Sequence, residues 1–411
     1  MDKKRVVITS MGTVSPIGNT VEENWQSILD LKSGIEPIDA FDLTDFRVSL
    51  AAQVKNLVFE NYLDKRELKF NDRFTQFARI AAMQAMNNVN FEDKTRVGVI
   101  LGSGIGGIQS ISNAQDNLSN RGPSRVSPFF IPMSLVNLAA GQVAIDHKLQ
   151  GACMSVVTAC AAATNSIGEA FHKIQNNHLD ACLAGGAEAS ITPLAVAGFM
   201  QMKALSQATD KDQASIPFDV NRSGFVMGEG AGVLILESLD HAQRRGAKIL
   251  AEIVGYGTTC DAYHITAPTE DGSGAALAMR LALQDANLEA NQIDYINAHG
   301  TSTPLNDKTE TKGILSVFDH DDLLVTSTKS FTGHLLGASG AIEAILSVLA
   351  LQNDLVPATL NTREQDPECN LNISMNQNTP KKLRYVMSNS LGFGGHNASI
   401  ILKKWEQTHD L

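Results

Sequence analysis

Cys160 is the residue of this 411-residue chain best placed to act as a nucleophile. It follows the β-branched run Val156-Val157-Thr158 and opens the small-residue stretch Cys160-Ala161-Ala162-Ala163-Thr164-Asn165. A strand leading into such a helix predicts a sulfur at a helix N-terminus, where free N–H groups and the macrodipole favour a thiolate. The same N–H groups can hold an oxyanion. Cys153, Cys182, Cys260 and Cys369 lack this setting and are expected to be inert thiols. Two histidines stand in matching places. His299 lies in Asn297-Ala298-His299-Gly300-Thr301-Ser302-Thr303-Pro304, and His334 lies in Lys329-Ser330-Phe331-Thr332-Gly333-His334. A lone histidine in a turn is usually a structural hydrogen-bonding residue. Two at the carboxyl ends of strands, where open α/β sheets build their sites, predict imidazoles serving one nucleophile. His172, His178, His241, His320 and His409 look like ordinary surface residues.

Two glycine-rich turns complete the set. Gly392-Phe393-Gly394-Gly395 surrounds one aromatic with unusual backbone freedom, which predicts a mobile loop or a close approach to a ligand. Gly102-Ser103-Gly104-Ile105-Gly106-Gly107 lacks the spacing of a dinucleotide-binding loop.

These residues need a frame. Predicted strands at 5–9, 97–101, 154–158, 180–184, 232–237, 249–254, 293–297, 323–327, 384–389 and 398–403 alternate with predicted helices at 21–31, 73–89, 161–176, 274–286, 307–318 and 338–352. Thr20 and Glu23 form a capping-box pattern, and Ser273 is a candidate cap for its helix. The alternation predicts an α/β fold with buried parallel strands. The strand-to-site segments before Cys160 and before His334 resemble one another, as a duplicated unit would make them.

Composition bounds the function. Apolar residues make up 43% and charged residues 19%, ordinary for a globular enzyme. The run Val6-Val7-Ile8 is too short for a signal peptide, and no stretch reaches the roughly 20 apolar residues of a membrane span, so a cytoplasmic protein is expected. A net charge of −11 argues against a nucleic-acid partner. Five scattered cysteines with no C-x-x-C pair predict reduced thiols and no metal site.

Together, Thr158-Ala159-Cys160, the His299 and His334 segments and Gly392-Phe393-Gly394-Gly395 resemble the signature segments of β-ketoacyl-acyl-carrier-protein synthases. Pro217-Phe218-Asp219, Arg222, Gly224-Phe225-Val226 and Gly228-Glu229-Gly230 extend the likeness, which runs from Arg5 to about Lys403 and is nearest the elongating type II class. The resemblance implies a thiolase fold: two similar α/β halves (1–248 and 249–411) in five α-β-α-β-α layers, usually as a homodimer. It implies decarboxylative condensation of acyl and malonyl groups carried on acyl carrier protein, through an acyl-Cys160 intermediate. The phosphopantetheine travels on the carrier, so no cofactor is expected. It further implies Lys329, Glu343 and Phe393 as supporting residues, with Asp307 and Glu310 as a structural acidic pair. Thr301 and Thr303 are implied for the pantetheine arm, with Ile105 and, across the dimer, Phe130 along the acyl tunnel.

An acidic carrier needs a positive dock, for which Lys65, Arg66 and Lys69 stand at helical spacing. Arg125 and Lys203 join them by resemblance. His396, Leu391, Asn306 and Ala161 depart from common family residues without removing a reacting group. A cysteine hydrolase and a silent partner of a condensing enzyme are the competing readings.

Overall fold

A computed structural model describes residues 3–406, so His409 lies outside the described residues. Ten strands form the main sheet: β1 (Val6–Val14), β2 (Val97–Gly102), β3 (Cys153–Met154), β4 (Ala181–Glu188), β5 (Gly230–Ser238), β6 (Ala251–Cys260), β7 (Tyr295–Asn297), β8 (Leu324–Thr326), β9 (Tyr385–Gly392) and β10 (His396–Lys404). Their spatial order is β8-β7-β9-β10-β6-β1-β5-β4-β2-β3. Numbered within each half, both sets of five run 3-2-4-5-1. In each, strand 2 pairs parallel with strands 3 and 4, and strand 5 pairs antiparallel with strands 4 and 1. The predicted duplication is therefore present in the topology. β1 and β6 join the halves through three antiparallel pairs.

Six helices complete five layers. Helices α1 (Arg73–Ala85) and α2 (Leu138–His147) cover the outer face of the first half, and α4 (Ser273–Ala286) and α5 (Pro304–Leu315) cover that of the second. Between the two five-stranded halves of this sheet lie α3 (Ala162–Gln175) and α6 (Ser339–Asn353). Sequence and place agree. A helix between two sheets is covered on all sides, and α6 (SGAIEAILSVLALQN) is buried from Ser339 to Leu351. The stretch Leu336–Asn353 is long and apolar enough to cross a membrane, and it serves here as this interior helix.

Three local expectations change. Of the predicted strand 154–158 only Met154, with Cys153 before it, pairs with β2; residues 155–158 have no regular structure as the chain leaves the sheet edge to reach the site. Ser273 is the first residue of α4, not its cap; Gly272, at φ +68°, holds that place. Thr20 accepts from the Glu23 N–H, but the Glu23 carboxylate reaches the Asn19 N–H, so the capping box is half closed.

Candidate active site

The nucleophile, both imidazoles and the glycine turn converge where the middle helices begin. Cys160 sits in a single 3-10 turn, Ala159–Ala161, that leads into α3. Ala159 adopts φ +50°, a left-handed conformation that a side-chain-bearing residue rarely takes. This step reverses the chain abruptly and turns the Cys160 sulfur toward the second half. His334 arrives from the corresponding place there, after β8 and before α6. Its Nε2 lies 3.1 Å from Cys160 Sγ, and its Nδ1 lies 2.9 Å from Ser339 Oγ. His299 follows β7, and its ring meets that of His334 edge-on at 5.2 Å between centroids. One ligand-type atom from each of Cys160, His299 and His334 lies within 4.8 Å of the others, and all three residues are buried.

Burial sets the charge states. It pushes the Cys160 thiol up to about 12, against the opposing pull of the Lys329 cation and of the nearby backbone N–H groups of Phe393 and Cys160. The expectation that a helix end favours a thiolate is thus corrected: desolvation outweighs a partial charge worth about 0.3–1 kcal/mol. Both histidines fall well below the ordinary imidazole range, first through burial and then through Lys329, so both rings are neutral at pH 7. Lys329 is itself buried and ion-paired with Glu343, whose second oxygen has no partner among the described residues.

The acidic pair holds backbone. Glu310 accepts from the N–H groups of His299 (2.7 Å) and Gly300 (2.8 Å), and burial raises its carboxyl to about 7. Asp307 accepts from the N–H groups of Phe218 (2.9 Å) and Ser302 (3.2 Å). The glycine turn is the tip of the β9–β10 hairpin, with Gly392 opposite His396. A Cβ on Gly392 would stand 2.8 Å from the Thr158 carbonyl oxygen and 3.1 Å from the Cys160 nitrogen, so only glycine lets the hairpin lie against the nucleophile's turn.

A cleft of about 410 Å³ opens onto His334 and is lined by Thr301, Thr303, Phe225, Phe393 and Lys203 among others. Thr301 and Thr303 share a 3.0 Å hydrogen bond. Ile105 is half-buried and packs in the apolar cluster that contains Cys160, Leu336 and Phe225. Phe130 begins a short helix away from this cleft. Lys65 and Lys69 lie on an exposed helix, Lys65–Phe70, whose Phe70 stacks on Phe129 at 4.0 Å. That contact brings their helix near Arg125, but none of the three lines the cleft.

Three of the histidines expected to be plain surface residues are engaged elsewhere, His320 through a 3.0 Å contact of its Nε2 with the Ile293 carbonyl oxygen. His241 contacts Glu237 at 2.6 Å, and His172 contacts Asp285 at 3.2 Å. Two buried residues escaped the sequence reading. Glu188 accepts from the N–H groups of Gly104 (2.7 Å), Ile105 (3.2 Å) and Gly337 (3.0 Å), clamping segments from both halves. Its signal was one acid closing the apolar run Ala181–Ala187. Ser339 carried no signal at all.

A thiol at a strained turn, two neutral imidazoles, nearby backbone N–H groups and an adjoining cleft suit acyl transfer followed by stabilisation of a carbanion. Models of the β-ketoacyl synthase N-terminal domain and C-terminal domain match residues 3–242 and 250–363, and the chain belongs to the β-ketoacyl synthase family. It is 50% identical over 409 residues to 3-oxoacyl-acyl-carrier-protein synthase 2 of Staphylococcus aureus (strain COL), covering 98% of this chain and 99% of the relative. The ishigamide ketosynthase/chain length factor structure superposes with a TM-score of 0.93 at 35% identity, covering 98% of this chain and 100% of that one. A type II polyketide ketosynthase in complex with its acyl carrier protein, AntDE:AntF, superposes with a TM-score of 0.92 at 31% identity, with the same coverage.

Proposed function

We propose that the chain condenses acyl-ACP with malonyl-ACP to 3-oxoacyl-ACP, the elongation step of type II fatty-acid synthesis. The 3.1 Å approach of His334 Nε2 to Cys160 Sγ, close to the backbone N–H groups of Phe393 and Cys160, carries this reading. Cys160 attacks the acyl thioester: its C–S bond forms, the pantetheine C–S bond breaks, and the thiol proton passes to the departing thiolate. The two N–H groups hold the tetrahedral oxyanion. Malonyl-ACP then loses CO2, and His299 and His334 donate N–H to the enolate oxygen. The carbanion attacks the acyl-Cys160 carbonyl: the new C–C bond forms, the S–C bond to Cys160 breaks, and the released sulfur takes a proton from solvent to return to the thiol. Loss of CO2 supplies the driving force, so no metal or redox cofactor is invoked.

Lys329 and Glu343 support the imidazoles, Thr301 and Thr303 hold the pantetheine arm, and Phe393 gates the cleft. Ile105 walls the acyl tunnel with Phe130 of a second copy. A homodimer is supported by the outermost strand β3 and by exposed apolar residues nearby in sequence, including Ile131, Leu135, Ile145 and Val157. The halves divide at 248/249, and the protein works in the cytoplasm. Lys65, Lys69, Arg125 and Lys203 meet the acidic carrier. Product analysis with acyl-ACPs of graded length plus malonyl-ACP tests the reading. Products longer by two carbons support it; release of free acid alone makes the protein a hydrolase.

A further inference from the structure

Ser339 opens α6 behind His334, fully buried and outside the cleft lining. Its Oγ has one hydrogen-bond partner among the described residues, Nδ1 of His334 at 2.9 Å. A hydroxyl carries one hydrogen and can also accept, whereas each neutral imidazole nitrogen does one or the other. If Nδ1 held the ring proton, Ser339 would accept it, and its own hydrogen would stay buried with no acceptor. If Nδ1 is bare, Ser339 donates and every hydrogen of the pair is used. The other tautomer would let the Cys160 S–H donate to a bare Nε2, but a thiol is a weak donor, whereas leaving a buried hydroxyl donor unmade costs about 1–3 kcal/mol, which decides between the tautomers. The proton then resides on Nε2, the nitrogen facing Cys160 and the cleft.

We propose that Ser339 is the positioning residue that locks His334 in its Nε2–H tautomer, and so makes it a donor in malonyl decarboxylation. The proposal rests on the condensing reading above and adds a residue to it. Ser339 touches no substrate. It acts by fixing which nitrogen of its neighbour bears hydrogen and by holding the ring plane. His299 is built differently: its Nδ1 is buried without a partner among the described residues, so no side chain there dictates its tautomer in the same way. Of the two rings, His334 is the one whose proton is placed by the fold.

The test separates the half-reactions in Ser339→Ala and Ser339→Thr, with thermal melts to establish folding. Ser339→Ala should slow decarboxylation of malonyl-ACP about tenfold, the loss of one hydrogen bond worth about 1.4 kcal/mol. Acyl-Cys160 formation from acyl-ACP, followed by mass spectrometry, should stay within about twofold of wild type. Ser339→Thr, which keeps the hydroxyl, should decarboxylate at nearly the wild-type rate. Nitrogen-15 NMR of His334 should report hydrogen on Nε2 in wild type and a mixture in Ser339→Ala. Equal slowing of both half-reactions, an unchanged decarboxylation rate, or hydrogen on Nδ1 in wild type would overturn the proposal. If the wild-type protein forms no acyl-Cys160, the condensing reading itself fails, whatever Ser339 does.

Discussion

In the N-terminal half, the segment after the third strand steps through a left-handed Ala159 and delivers a sulfur. In the C-terminal half, the corresponding segment delivers the imidazole of His334. Both segments end at the N-terminus of a middle-layer helix, α3 or α6, so a repeated strand order brings two unlike groups face to face. The connection between the fourth and fifth strands differs most. It spans 189–229 in the first half, where it supplies Phe225 to the cleft, and shrinks to the turn 393–395 in the second. Divergence sits in the connections while the strands stay equivalent. On the proposed reading, the first half carries the acyl group and the second acts on malonyl.

The largest expected effect comes from removing the first half's contribution. Cys160→Ala should abolish condensation, and mass spectrometry of the wild-type protein should find acyl on Cys160 alone. Acyl on Cys153 or Cys182 would break the assignment of roles to halves.

His299→Ala and His334→Ala should each slow condensation by on the order of 10²-fold, while acyl-Cys160 still forms. A histidine variant that fails at acylation would show that the halves share that step.

Glu310 offers a weaker, stability-based probe of the second half. Its folded value, about 7, lies above the ordinary 4.5, so the native state holds this proton more tightly than the unfolded chain. Its contribution to stability therefore declines as pH rises from about 4.5 to 7. Glu310→Gln should flatten that part of the Tm-against-pH curve. An unchanged slope would place the titration elsewhere.

The smallest effect belongs to the surface of the first half. Charge reversal at Lys65 and Lys69 should raise the KM for acyl-ACP severalfold at low salt, with the difference shrinking as salt rises. Activity on a short pantetheine thioester should be spared. Equal damage to both substrates would move these lysines from docking to folding.

Cys160, His299 and His334 were legible because a reactive residue type stood at a strand end beside small or hydroxylated neighbours. The α/β frame was legible from alternating periodicities, and the duplication was visible in the matching Cys160 and His334 segments. What escaped depends on tertiary distance. The β-branched run 154–158 announces extended backbone but not whether a partner strand lies beside it. The protonation of Cys160 turns on desolvation by residues far along the chain, which defeats a helix-end argument built on neighbours alone. Glu188 serves Gly104 and Gly337, segments separated in sequence by more than the length of a small domain. Ser339 matters through one 2.9 Å contact, and a serine in a small-residue stretch announces nothing.

The buried, protonated state of Cys160 has a consequence for life with oxygen. Peroxide attacks thiolates, and susceptibility follows thiolate character and access. A sulfur held near pKa 12 inside the protein is a poor target until a thioester enters and its leaving group takes the proton. Cys153 and Cys260 are the exposed thiols among the described residues, and Cys260 belongs to the strand beside the glycine turn. Its Sγ lies 3.5 Å from the Gly394 carbonyl oxygen, on the turn that carries Phe393. Oxidative wear would therefore register first at Cys153 and Cys260, the latter beside the turn that carries Phe393, and spare the nucleophile.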